Sequence, residues 1–254
     1  MYICITKYGD TMRIKFAFVV ITVCLYAVAV NAQSVVLTAK KVTYTRPKPI
    51  ADHKKTFTIT YPKIKAATPA LSKKIEAVIS YEKNFDFTIK EELTEIQWLE
   101  DAQYDVNYNA NGILSIRLFI EGSGAYPSGS TRYVVVDIKK GTKATPALVF
   151  TNVAGLLELV TKAKDKEVAE SIIELNKDPE NKDLGVEEMF KNAEEYNKVS
   201  LDAFEVDENG VIFHHDYGFA HVIQALQPPG EFFFTWEDLK PFIKAGGLLS
   251  RASR

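Results

Sequence analysis

The stretch "HHDYGFAH", residues 214 to 221, holds the densest set of groups that could do chemistry: His214, His215, Asp216 and His221. Three imidazoles and a carboxylate could hold a zinc ion and leave one position open. On a strand, however, His214 and His215 face opposite sides, so at most one of them joins the neighbours of Asp216. The helical spacing of histidines found in zinc hydrolases is also missing. The expectation is therefore ordinary strand and turn histidines, with no metal and no cofactor. His53, in a loop of prolines and lysines, is expected to be solvated.

A second stretch, "EGSGAYPSGSTR" (121–132), has the glycine spacing of a phosphate-binding loop, with Gly124 and Gly129 followed by Ser130 and Thr131. Ser130 stands where that loop needs lysine, so no ammonium reaches a terminal phosphate. The flanking runs "ILSIRLFIE" and "TRYVVVDI" are β-branched, so the segment joins two strands rather than leading into a helix. It reads as a hairpin connection over 122–130. Ser123, Ser128 and Ser130 lie in this turn without a Gly-x-Ser-x-Gly elbow, and no catalytic serine is assigned. The paired acids Glu91-Glu92, Glu187-Glu188 and Glu194-Glu195 read as exposed helix faces.

In "EFFFTW", strand alternation puts Phe232, Phe234 and Trp236 on one face and Phe233 on the other. Such a stripe could stack on sugars, but core packing is the commoner use of large aromatics. Tyr104, Tyr108, Tyr126 and Tyr133 suit a surface better, because tyrosine joins contact area to a polar tip. Tyr126 stands at the centre of the exposed loop and is the first choice for a contact residue, with Pro127 and Ser128 beside it.

These groups sit in a chain whose first 32 residues read as an export signal. Arg13 and Lys15 precede "FAFVVITVCLYAVAV", and Val30-Asn31-Ala32 forms a small-residue cleavage site before Gln33. The apolar run is shorter than the ~20 residues of a membrane span, which favours cleavage over anchoring. Cleavage leaves 222 residues with 28 basic and 32 acidic side chains, neither a nucleic-acid footprint nor a polybasic membrane patch. Both cysteines, Cys4 and Cys24, lie in the removed segment, so the mature chain has no disulfide and no thiolate chemistry. Its stability has to come from its core.

The elements that must position the polar groups follow from periodicity. Strands are expected at 35–45 and 56–64, then a helix opened by Thr68-Pro69 and a second helix over 86–99. An antiparallel meander follows: a strand, an Asn-Ala-Asn-Gly turn, a longer strand, the 122–130 connection and a strand at 132–138. Residues 147–177 are helical in composition, as two helices, and 178–198 are charged and weakly ordered. A hairpin around Glu208-Asn209-Gly210 and a strand running into a closing helix end the chain. The class is α+β with antiparallel sheets and inserted helices. It divides into an N-terminal half at 33–140 and a C-terminal half at 141–254, packed as one unit.

The order of these signatures resembles the exported domain pair found in the lysozyme-sensing anti-sigma factor RsiV and beside the catalytic domain of the peptidoglycan deacetylase PdaC. The resemblance is carried by "ITYPKI" with the helix segment "KIEAVI", by "YDVNYNANGILSIRLFIEGSGAYP", by "YVVVDIKKGTKATPALVF", by "FEVDENGVIFHHDY" and by "FFFTWEDLKPFI". It spans about residues 55–245. Ser123 and Tyr126 replace a glycine and the histidine of that family's Gly-Gly-Ala-His, so no role of that histidine transfers. Only 15 residues precede the apolar run, and no metal-binding deacetylase domain is present. The resemblance thus implies a free-standing exported module, periplasmic or extracellular, rather than either named activity. The leading expectation is a non-enzymatic module that binds a cell-envelope protein, lysozyme-like, or a peptidoglycan fragment. It implies no nucleic-acid partner. The alternative is an envelope hydrolase with a site near His214–His221, and a third is an assembly-only structural protein.

Overall fold

Alternating threonine, tyrosine and aliphatic residues build a six-stranded sheet in the order β1-β2-β3-β4-β5-β6. Its strands are β1 (Val36–Thr45), β2 (Thr56–Lys65), β3 (Leu99–Ala110), β4 (Ile113–Ser123), β5 (Pro127–Asp137) and the short β6 (Thr142–Lys143). The computed structural model describes residues 34–253 except 125, 182 and 193–197. The expected export signal, both cysteines and the Glu194-Glu195 pair lie outside the described residues. Ser34–Arg254 forms one compact unit.

The sheet is mixed, not wholly antiparallel. β2 and β3 run parallel, with Thr58 opposite Asp101 and Ile59 opposite Ala102. A parallel pair needs a crossover, and three short helices supply it: α1 (Pro69–Val78), α2 (Tyr81–Phe85) and α3 (Ile89–Thr94). Thr68 caps α1 by accepting from the Leu71 amide at 3.2 Å, with Pro69 in the first turn. The helix expected over 86–99 is shorter, α3 alone. Asp86 ends α2 in the left-handed region (φ 54°), and Thr88 with Glu91 starts α3 in a reciprocal capping box. α2 therefore closes before this segment, α3 is confined to its middle, and β3 begins at Leu99.

Between β3 and β4 the chain reverses at Asn111 and Gly112, both at positive φ (54° and 76°), the two-residue turn that matches strand twist. Alternation along β4 then decides the layers. Leu114, Ile116 and Leu118 pack with Ile75, Ile79 and Tyr81 of the helical side. Ile113 points the other way, as does Val135 of β5, into a second core with Leu156, Val160, Phe204, Phe213 and Leu239. The large sheet is therefore a middle layer, with apolar contacts on both faces.

The second core belongs to α4 (Pro146–Val149), α5 (Val153–Leu175), the antiparallel sheet β7 (Phe204–Val206), β8 (Gly210–His214) and β9 (Glu231–Thr235), and α7 (Trp236–Leu239). Two helices over 147–177 agree with expectation. Within 178–198 the expectation of weak order fails for α6 (Val186–Asn192), because its Val186 and Phe190 bury against Tyr217 and Phe219. In "EFFFTW" Phe232 is buried and Phe233 is 48% exposed, as alternation requires. Trp236 leaves the strand, because Thr235 caps α7, and its indole donates to the Glu208 carbonyl at 2.9 Å. The aromatics on that face serve the core. No helix of the described residues is long and apolar enough to cross a membrane.

Candidate functional site

Beyond Ile113 the second face of β4 turns polar. Ser115 accepts from the Val206 amide at 2.9 Å, which docks β7 onto the large sheet. The next two residues on that face, Arg117 and Phe119, are only half-buried. They line a cleft of about 840 Å³, with Tyr133 of β5, His214 at the end of β8, and the loop carrying His215, Asp216, Pro229 and Gly230. This size suits a small ligand.

At its inner end is a buried polar group. Glu205, 2% exposed, accepts from the Asn107 side-chain amide at 2.6 Å and lies 3.1 Å from His214 Nε2. Glu231 lies 3.9 Å from the other ring nitrogen. The imidazole stacks face to face on Tyr133, with centroids 3.6 Å apart and planes 5° from parallel. Burial, with the nearby Glu205 carboxylate adding to it, pushes the Tyr133 phenol up to about 12, so it stays protonated and can donate. Cross-strand pairing puts Arg117 directly between Asp105 and Tyr133.

The loop that forms the far wall is fastened to α5 by Glu167. This carboxylate accepts from the Tyr217 hydroxyl at 2.7 Å and the Gly230 amide at 3.2 Å. Gly230 sits at φ +64°, and a β-carbon there would lie 2.0 Å from the His215 carbonyl oxygen, so no other residue fits. His215, edge-on to Tyr217, is held below the usual histidine range, first by burial and then by Lys164.

The four residues of the histidine stretch do not converge. His214 faces Glu205, and buried His215 faces Tyr217. Exposed Asp216 caps its own turn by accepting from the Gly218 amide at 2.8 Å. His221 starts a 3-10 turn (His221–Leu226) and stacks under Tyr126 at 5.1 Å. Among the described residues no three His, Cys, Asp or Glu side chains are grouped to hold a metal ion.

The hairpin connection is tighter than 122–130. β4 and β5 stay paired up to Ser123 and Pro127, so Pro127 and Ser128 are strand residues, and the free tip centres on Tyr126, 67% exposed. Tyr104, Tyr108 and Tyr133, expected at the surface, are half-buried against the cores or under His214. His53 is half-buried rather than solvated. Glu92 is no exposed helix face: it is 3% exposed and 3.6 Å from buried Arg46.

Sequence reasoning missed Arg117, Glu205, Asn107 and Glu231. Arg117 did leave a signal, a lone charge inside the apolar run "ILSIRLFIE". Glu205 left none, since alternation with Phe204 and Val206 reads as a solvent-facing carboxylate.

Comparison with models of protein families and with curated proteins gives no match. Solved structures do share the fold. A member of the DUF3298 family from Bacteroides fragilis is 15% identical with a TM-score of 0.55, covering 87% of this chain and 99% of that one. A DUF3298 family protein from Pseudomonas aeruginosa is 13% identical with a TM-score of 0.55, covering 83% and 94%. At these identities the likeness is one of fold, that of DUF3298 family proteins.

Proposed function

We propose that the chain is an exported, non-enzymatic binding module of the bacterial cell envelope that contacts a protein or wall glycan through the β4–β5 tip. The observation that carries this reading is Tyr126, 67% exposed and stacked at 5.1 Å on His221 of the loop that also walls the cleft. The tip is supported from below: the Trp98 indole donates to the Ser128 hydroxyl at 3.2 Å, and the Gly124 amide to the Tyr126 carbonyl at 3.3 Å. A braced aromatic loses little freedom on binding, which is how a small contact becomes strong. The fold shared with DUF3298 proteins accords with the RsiV-like and PdaC-associated resemblance, in which such a domain recognises without performing chemistry. Pull-down from envelope extract, lysozyme included, tests this: wild type captures a partner that Tyr126→Ala does not. Equal capture by both proteins removes the tip from the account.

A second reading, an envelope hydrolase near His214–His221, keeps one observation in its favour. His214 and buried Glu205, 3.1 Å apart beside a cleft, form the imidazole–carboxylate pair that general acid–base chemistry uses. Release of soluble fragments from purified wall by wild type, absent in His214→Ala, would favour it over the binding module.

A further inference from the structure

We infer that Arg117 anchors a small carboxylate ligand in the cleft, one that also carries hydroxyl or amide donors. The inference deepens the binding-module reading and rests on it for the ligand's source, either a sugar acid or the C-terminal carboxylate of a peptide.

Arg117 lies mid-strand in β4, half-buried, and its Nε is enclosed without a hydrogen-bond partner among the described residues. It makes no ion pair there either, although Asp105 is its cross-strand neighbour. The buried carboxylate of Glu205 accepts from Asn107 and lies 3.1 Å from His214 Nε2 rather than pairing with Arg117. A guanidinium in this state keeps its planar fork free, and that fork matches a carboxylate bidentately. A second polar atom, on the facing loop, is also unused: His215 is 8% exposed, and its Nε2 has no partner among the described residues. Leaving such groups unmatched costs stability, and the cost is relieved when a ligand supplies acceptors.

The rest of the lining limits the class. Asp105, Glu121, Asp202 and Asp216 also border the cleft, against Arg132 and Lys143, so with Arg117 the lining has no net positive charge and disfavours a polyanion such as a nucleotide. The same carboxylates accept from hydroxyls and amide N–H groups. A single negative charge with donors around it satisfies both sets of groups.

The test is calorimetric titration of the mature protein with matched pairs differing only in the carboxylate. N-acetylmuramic acid is compared with N-acetylglucosamine, and acetyl-Ala-Ala with its amide. Glucuronate serves as a sugar acid foreign to peptidoglycan. The expected result is that at least one carboxylate binds about tenfold or more tighter than its neutral partner, a difference that Arg117→Gln abolishes and Arg117→Lys partly retains. Equal affinity within both pairs, or no carboxylate binding at about 10 mM, overturns the inference. So does an Arg117→Gln protein that melts normally and still discriminates. If Arg117→Gln does not fold, the wild-type pairs and Arg117→Lys decide. Glucuronate binding as tightly as the muramic acid upholds the carboxylate site while counting against the envelope as its source, so the two readings fail separately.

Discussion

Among single residues Arg46 makes the largest demand on its surroundings. It is 3% exposed, donates to the carbonyls of Lys54, Glu92 and Leu99 at 2.6 to 3.0 Å, lies 3.6 Å from the Glu92 carboxylate, and covers the Phe57 ring at 5.0 Å. Glu92 in turn accepts from the Leu99 amide at 2.8 Å. One guanidinium thus joins the end of β1, the 46–55 loop, α3 and the start of β3. Arg46→Met should cost about 3–5 kcal/mol, because it leaves a buried carboxylate uncompensated. Adding Glu92→Leu should recover part of that loss in chemical denaturation, and strictly additive losses would contradict the account. His215 supports a pH prediction. Burial and Lys164 lower its folded-state pKa beneath the ordinary histidine value of 6.5, so the folded state prefers the neutral ring. The unfolded chain then binds the proton more readily: the stability contribution is complete above about 6.5 and falls as pH drops toward the folded value. His215→Gln should flatten that acid limb in melting curves. A limb of unchanged slope would mean that His215 is not its source.

At the scale of elements, the tip depends on Trp98 and Gly122. A β-carbon at Gly122 would lie 2.1 Å from the Trp98 carbonyl oxygen, so Gly122→Ala must push β4 off the start of β3. A loss of about 1–3 kcal/mol is expected, the range of overpacked sites, together with weaker partner binding as the tip shifts. A Gly122→Ala protein with unchanged melting temperature and unchanged binding would contradict this bracing. Strand placement was legible because β1 to β5 carry period-two patterns ended by turn residues, and α1 because Thr68-Pro69 marks its start. The short helices were less so: α2 went unread, and α3 was read too long although Thr88 and Glu91 mark its start. The parallel β2–β3 pair could not be read from the strands themselves, since only the return path through three helices fixes it. The order of α6 was hidden in the same way, because Val186 and Phe190 gain their burial from Tyr217 and Phe219, far along the chain.

For the whole molecule the site is a product of assembly. Asn107 and Glu205, and Ser115 and Val206, are 98 and 91 residues apart in sequence, and each pair meets only when the second sheet docks on the first. Strand spacing could single out Tyr126 on a tip and the histidines on another hairpin, but not that Tyr126 and His221 stack. That contact joins the two stretches that sequence reading had assigned to rival functions. It also makes the central claim testable in one comparison on residues 33–254, affinity for any partner captured from envelope extract measured beside thermal stability. Tyr126→Ala should weaken binding by about 2 kcal/mol or more, as truncated aromatic anchors do, while stability changes by less than about 0.5 kcal/mol, as at exposed sites. Unchanged affinity, or a protein that unfolds on losing Tyr126, would contradict the claim that this tyrosine is held out for a partner.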